Sequence, residues 1–160
     1  MDSHADQAVV GDNALILYEW PGHKVDVTPF LDDLGCIDAA PIVTAAVTYD
    51  DHSVGRPVLL VIHQAIYVKG MTHNLLCPMQ LRHNGITVNE RPKHCTPEPT
   101  REDHSLIIPN GNYMIPLSIK GVTSSFPCRR PTGQQAKMFK EDGDYLELTA
   151  SKPIWDPNSS

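Results

Sequence analysis

The sequence predicts an all-β domain with little helix, and three observations carry that expectation. Prolines and glycines, 14 and 10 of them in 160 residues, recur so closely that no apolar segment runs uninterrupted for the length of a long helix. The segments between them are rich in Val, Ile, Leu and Thr, which suit a pleated surface. The longest, residues 58–68, is apolar on both parities over its first half, as a central strand covered on both faces would be.

Taken in chain order, the first strand expected is the short Ala8-Val9-Val10, closed by Gly11. Residues 14–18 follow and stop ahead of Pro21-Gly22, and 25–30 resume the pattern. Segment 42–49, Ile-Val-Thr-Ala-Ala-Val-Thr-Tyr, precedes the central 58–68. Shorter strands are expected at 86–89, 106–108, 113–119 and 145–149. Helix is expected at only two places. At 78–82, Pro78 can open the first turn, because its fixed φ is already helical and its missing N–H is not needed there. The other is 134–140, near the end of the chain.

A chain of this size suits one domain with a sizeable core and is too short for two ordinary ones. Composition shifts at Arg91-Pro92-Lys93-His94-Cys95-Thr96-Pro97-Glu98-Pro99-Thr100, a polar, proline-rich stretch. The expected organisation is therefore a core over 1–91 and a β-containing C-terminal extension over 92–160.

Composition also excludes several functions. A net charge of −6 argues against a phosphate-binding surface, which needs clustered Lys and Arg, so no nucleic-acid partner is expected. Apolar runs fall far short of a membrane span, and the start lacks a basic stretch followed by an apolar one, so neither a membrane nor secretion is expected. The setting expected is cytoplasmic. Cys36, Cys77, Cys95 and Cys128 are widely spaced with no Cys-x-x-Cys pair, which predicts free thiols. His83, His94, Cys95 and His104 form the densest group of metal-type residues, but their spacing matches no zinc signature, so no metal or other cofactor is expected.

Two motifs carry chemistry. The first is Asp2-Ser3-His4-Ala5-Asp6, an aspartate beside a hydroxyl, running into Val9-Val10. On its own such a stretch also suits a solvated turn or a helix cap. The second is Asn74-Leu75-Leu76-Cys77-Pro78-Met79-Gln80-Leu81, an apolar pair entering a short helix. Ser3 beside His4 does not make a triad, since adjacent residues rarely face each other and no third orienting group is identifiable.

Together, at this separation, the two motifs resemble the retropepsin-like aspartic proteases of retrotransposon polyproteins, above all the copia-like kind. The resemblance covers residues 2–90 well and the remainder more loosely. It implies a closed β-barrel with one short helix, and an endopeptidase acting on a polypeptide substrate, the polyprotein. Asp2 would be the catalytic carboxylate and Ser3 the hydroxyl that cross-links two active-site loops beneath it. His4 and Ala5 would lie close to substrate, and Asp6 would contact the substrate backbone. Leu75 and Leu76 would pack under the catalytic loop. A flap would be a hairpin of 25–30 and 36–43 with Leu31-Asp32-Asp33-Leu34-Gly35 at its tip, a lid that excludes water.

Hydrolysis by carboxylates needs two of them sharing one proton, since like charges at that distance cannot both ionise. Asp2 is the only aspartate in an Asp-Ser-x-Ala setting, so its partner is expected from a second copy across a two-fold axis, making the active species a homodimer.

The chain departs from the family pattern in three places. His4 stands where the family usually has Gly, and Cys77 where it has a small residue. Asp2 is almost the first residue, whereas the fold places a strand ahead of it. A second expectation follows: a chain truncated at that strand, catalytically inactive, and acting at most as a β-rich interaction domain.

Overall fold

The computed structural model describes residues 7–27, 37–53, 55–90, 104–109, 113–120 and 123–152. Ten strands and two helices follow in order: β1 (Val9–Val10), β2 (Leu15–Val27), β3 (Ile37–Asp51), β4 (Arg56–Tyr67), α1 (Pro78–His83), β5 (Thr87–Asn89), β6 (Ser105–Ile108), β7 (Tyr113–Pro116), β8 (Ser118–Lys120), β9 (Thr123–Ser125), α2 (Gly133–Glu141) and β10 (Tyr145–Glu147). The protein is mostly β. Among the described residues no helix is long and apolar enough to cross a membrane.

The main sheet is organised around β4, as its two-sided apolar pattern predicts. One edge of β4 pairs antiparallel with β3, which pairs with β2. The other edge is shared by two short parallel partners, β10 against Leu59–Val61 and β1 against Ile66 and Tyr67. Leu59 and Leu60 point to opposite faces and neither is exposed. Full burial of such a side chain contributes about 1.5–3 kcal/mol.

The larger core gathers Val43, Val47, Leu60 and Ile62 with Leu81 of α1, Leu106 and Ile108 of β6, Ile115 of β7 and Leu148 beyond β10. Side chains from both sides of the proline-rich stretch 91–100 thus enter one cluster; the stretch itself lies outside the described residues. The opposite face holds Ala46, Leu59 and Val61, covered by Phe139 of α2.

Several expectations need correction. The strands form sheets of five, three and two members with no closed barrel among the described residues. Residues 15–18 and 25–27 of the two expected segments belong to one long strand, β2, and 28–30 lie outside the described residues. Pro21-Gly22 does not end it, because β2 is the outermost strand of the sheet and tolerates bulges. From Glu19 to Lys24 the strand advances five residues while its partner steps back two, from Val43 to Pro41, so three residues loop out. Gly22 supplies a φ of 75° within that bulge. The strand expected at 113–119 is split into β7 and β8 at Leu117, whose N–H turns away to the His104 carbonyl, 2.8 Å.

Both helices have sequence-coded ends. Thr132 and Gln135 form a reciprocal capping box at the start of α2, 3.0 and 3.2 Å. At the end of α1, Gly85 has φ 80°, and the N–H groups of Gly85 and Ile86 reach the Arg82 and Leu81 carbonyls, a Schellman motif.

Candidate functional site

Asp2, Ser3, His4, Ala5 and Asp6 lie outside the described residues, as does the flap tip Leu31 to Gly35. The structure does describe the residues directly after Asp6 and the whole of the second motif.

Ala8 and Val10 are fully buried. The backbone of this two-residue strand is bonded on both sides. Toward β4, Ile66 N–H donates to the Ala8 carbonyl at 2.8 Å and Val68 N–H to the Val10 carbonyl at 2.9 Å. Toward the second motif, Val9 and Leu75 exchange both backbone hydrogen bonds, each 2.8 Å. The Asn74 side chain extends the join, its Oδ1 accepting from Gly11 N–H at 2.9 Å. The short strand that follows Asp6 and the second motif therefore meet in one element, with β1 clamped between β4 and the Asn74-Leu75-Leu76 run.

Gly11 is required by the crossing. A Cβ there would overlap the Met71 carbonyl oxygen, and Asp12 N–H donates to that same oxygen at 2.9 Å. Asp12 then anchors the turn that follows β4, accepting from Tyr67 Oη and from Gly70 N–H, each at 3.0 Å. This bond to a carboxylate holds the Tyr67 phenol above its ordinary pKa.

The second motif enters α1 through Leu76, Cys77 and Pro78. Pro78 occupies the first turn as expected, and Cys77 is the N-cap without a side-chain capping bond. Leu76 and Leu81 are buried in the larger core. The polar Gln80 is equally enclosed, 2% exposed. Its Oε1 accepts from Ala8 N–H at 2.8 Å, and its Nε2 donates to the Gln64 carbonyl at 3.2 Å. Gln7 Nε2 donates to the same carbonyl at 2.8 Å.

Gln64 marks a bulge in β4. Between Val43↔Ala65 and Ala45↔Ile62, β3 advances two residues and β4 three, so one residue of β4 is extra. The larger core accordingly takes Val58, Leu60 and Ile62 before the bulge and Ala65 after it. Gln64 has φ 55°, unfavourable for a side-chain-bearing residue by about 1–2 kcal/mol. The bond from its Nε2 to the Ala150 carbonyl, 2.8 Å, offsets that strain.

A second polar cluster lies around the other residue of the bulge, His63. Trp20 Nε1 donates to Thr44 Oγ1 at 2.9 Å, and Thr44 Oγ1 faces His63 Nδ1 at 3.1 Å. On its other side the ring meets Glu147, Nε2 to Oε2 at 2.6 Å, so His63 is bridged between Thr44 and Glu147. Thr44 is buried, so its hydroxyl links the long β2 bulge to the sheet rather than facing solvent.

Among the described residues no three His, Cys, Asp or Glu side chains converge on a metal position. His94 and Cys95 lie outside them, and His104 Nε2 meets Ser124 Oγ at 2.9 Å. Cys77 and Cys128 are free thiols, and Cys36 and Cys95 are not among the described residues. Burial, with a smaller contribution from the Asp50 charge, pushes the Cys128 thiol up to about 12, far from a nucleophile's range.

Gln64 and Gln80 were not legible as site residues, since an isolated glutamine carries no positional signal. Gly11 directly after a strand was the available clue to a close backbone approach. Comparison with protein-family models, curated proteins and solved structures finds no match.

Proposed function

We propose that this chain is an aspartic endopeptidase domain of the retropepsin-like kind found in retrotransposon polyproteins, working as a homodimer. Asp2 of each protomer supplies one carboxylate. One is ionised and takes a proton from water while the other, protonated, polarises the scissile carbonyl; the pair shares a proton and titrates as a unit. Ser3 ties the two loops together, His4 and Ala5 line the substrate, and Asp6 meets its backbone. The β2–β3 hairpin, paired out to Val27 and Ile37, acts as the lid over an extended peptide.

The observation that carries this reading is the exchange of hydrogen bonds between Val9 and Leu75. A catalytic loop must be held rigidly to position a reacting group. The strand that leaves the Asp2–Asp6 run is held on both edges, and one of those edges is the Asn74-Leu75-Leu76 motif that the resemblance places beneath the loop.

The test is cleavage of peptides by the purified chain at acidic pH. Cleavage that Asp2→Asn abolishes is the expected result. Absence of cleavage, or cleavage indifferent to Asp2→Asn, overturns the reading in favour of a non-catalytic β domain.

A further inference from the structure

We propose that Gln80 is a positioning residue for the peptidase, acting through Gln7 and Ala8, the first residues after Asp6, by fixing the backbone from which the catalytic run extends; the inference rests on the peptidase reading above. Gln7 and Ala8 are the first two residues after Asp6, and both are held through the same place. Gln7 is bonded by its side chain to the Gln64 carbonyl, and Ala8 by its N–H to Gln80 Oε1, which is itself locked by Nε2 donating to that carbonyl. The Ala8 carbonyl, on the opposite side of the residue, accepts from Ile66 N–H. Ala8 is thus gripped through both of its backbone groups.

The chemistry demanded at position 80 is narrow. The group must accept from Ala8 N–H and donate to the Gln64 carbonyl at once, inside the protein. A carboxamide does both, and so does a protonated carboxyl. An ionised carboxylate satisfies Ala8 but turns an acceptor oxygen toward the Gln64 carbonyl. The groups facing the site are backbone: Ala8 N–H and the Gln64 carbonyl, with the His63 carbonyl further off at 3.5 Å. The His63 ring is engaged elsewhere, by Thr44 and Glu147. Arg82 and His83 are the ionisable neighbours on α1 itself.

The experiment compares peptide cleavage against pH for the wild type, Gln80→Glu and Gln80→Leu, with denaturant unfolding of each at the same pH values. In Gln80→Glu, kcat should stay near the wild-type value at the acidic end. It should then fall by on the order of a hundredfold over the pH interval in which the new carboxyl ionises, with KM changed much less. Protection of the Ala8 amide from hydrogen exchange, relative to the wild type, should be lost over the same interval. Gln80→Leu, where folded, should show the low kcat at every pH. Superimposable profiles for wild type and Gln80→Glu, or wild-type kcat in a folded Gln80→Leu chain, would overturn the inference alone. A wild-type chain that does not cleave overturns the peptidase reading and this inference together. If Gln80→Leu does not fold, the acid-end and neutral measurements on Gln80→Glu decide the matter.

Discussion

The Thr149 hydroxyl closes a ring on His63: it accepts from His63 N–H at 2.7 Å and donates to the His63 carbonyl at 2.6 Å. This occurs where β4 bulges and β10 has just ended, so the ladder between them has no backbone partner left for His63. One side chain substitutes for two missing ladder bonds. Thr149 is 1% exposed, so water is not at hand to replace it.

Thr149→Val keeps the shape and removes both bonds. The N–H of His63 loses its partner, and its carbonyl keeps only the long approach of Gln80 Nε2. Leaving such groups buried costs about 1–3 kcal/mol each, so a loss of about 2–3 kcal/mol is expected in denaturant unfolding. Thr149→Ser, which keeps the hydroxyl, should recover most of it. Wild-type stability in Thr149→Val would show that the ring contributes nothing, and a Thr149→Ser chain as unstable as Thr149→Val would show that the methyl group matters as much as the hydroxyl.

The same substitution at Thr48 should have the opposite sign. Thr48 is fully buried, and among the described residues its Oγ1 is the buried side-chain polar atom with no hydrogen-bond partner. Its backbone is well satisfied, bridged in both directions to Arg129 at 2.8 and 2.9 Å. Thr48→Val removes only the unpaired hydroxyl from the interior, and a gain of about 1 kcal/mol is expected. The measurement is the unfolding midpoint at constant m-value; a fall in stability would mean that the hydroxyl has a partner after all.

These two threonines show where sequence reading succeeds and where it stops. Strand content, the central place of 58–68 and both helices were legible, because apolar parity and the first-turn Pro78 act over a few residues. The closed barrel that the resemblance implied is not found among the described residues, since which edges pair between strands far apart in the chain is not written in local pattern. Nor could the chain reveal that two short strands share one edge of β4, or that an extra residue at His63 and Gln64 resets which face enters the core. Thr48 follows Val47 and Thr149 follows Leu148, and only what each hydroxyl meets in the fold separates them. At the candidate site, the two motifs were visible as strings, while the bonds by which Gln64 and Gln80 hold Gln7 and Ala8 were not.

Arg129 binds Asp50 through two parallel contacts, Nε to Oδ2 at 2.8 Å and Nη2 to Oδ1 at 3.1 Å. The hydrogen bonds from Arg129, with help from its charge and that of His52, hold the Asp50 carboxyl below its ordinary value of 3.8. The folded state therefore gives up the Asp50 proton more readily than the unfolded chain, and between the two values the unfolded chain binds more protons. Stability from this pair is fully present above 3.8 and is lost as pH falls through the lowered folded-state value. Both side chains are well exposed, 44% and 46%, so solvent screening limits the contribution to less than about 1 kcal/mol. Asp50→Asn should accordingly be slightly less stable than the wild type near neutral pH. The gap should close on acidification to about pH 2, and shrink in about 1 M salt at neutral pH. Denaturant midpoints of the two proteins across pH check this. A gap that persists unchanged at the acid end would assign the effect of Asp50 to local packing and not to its charge.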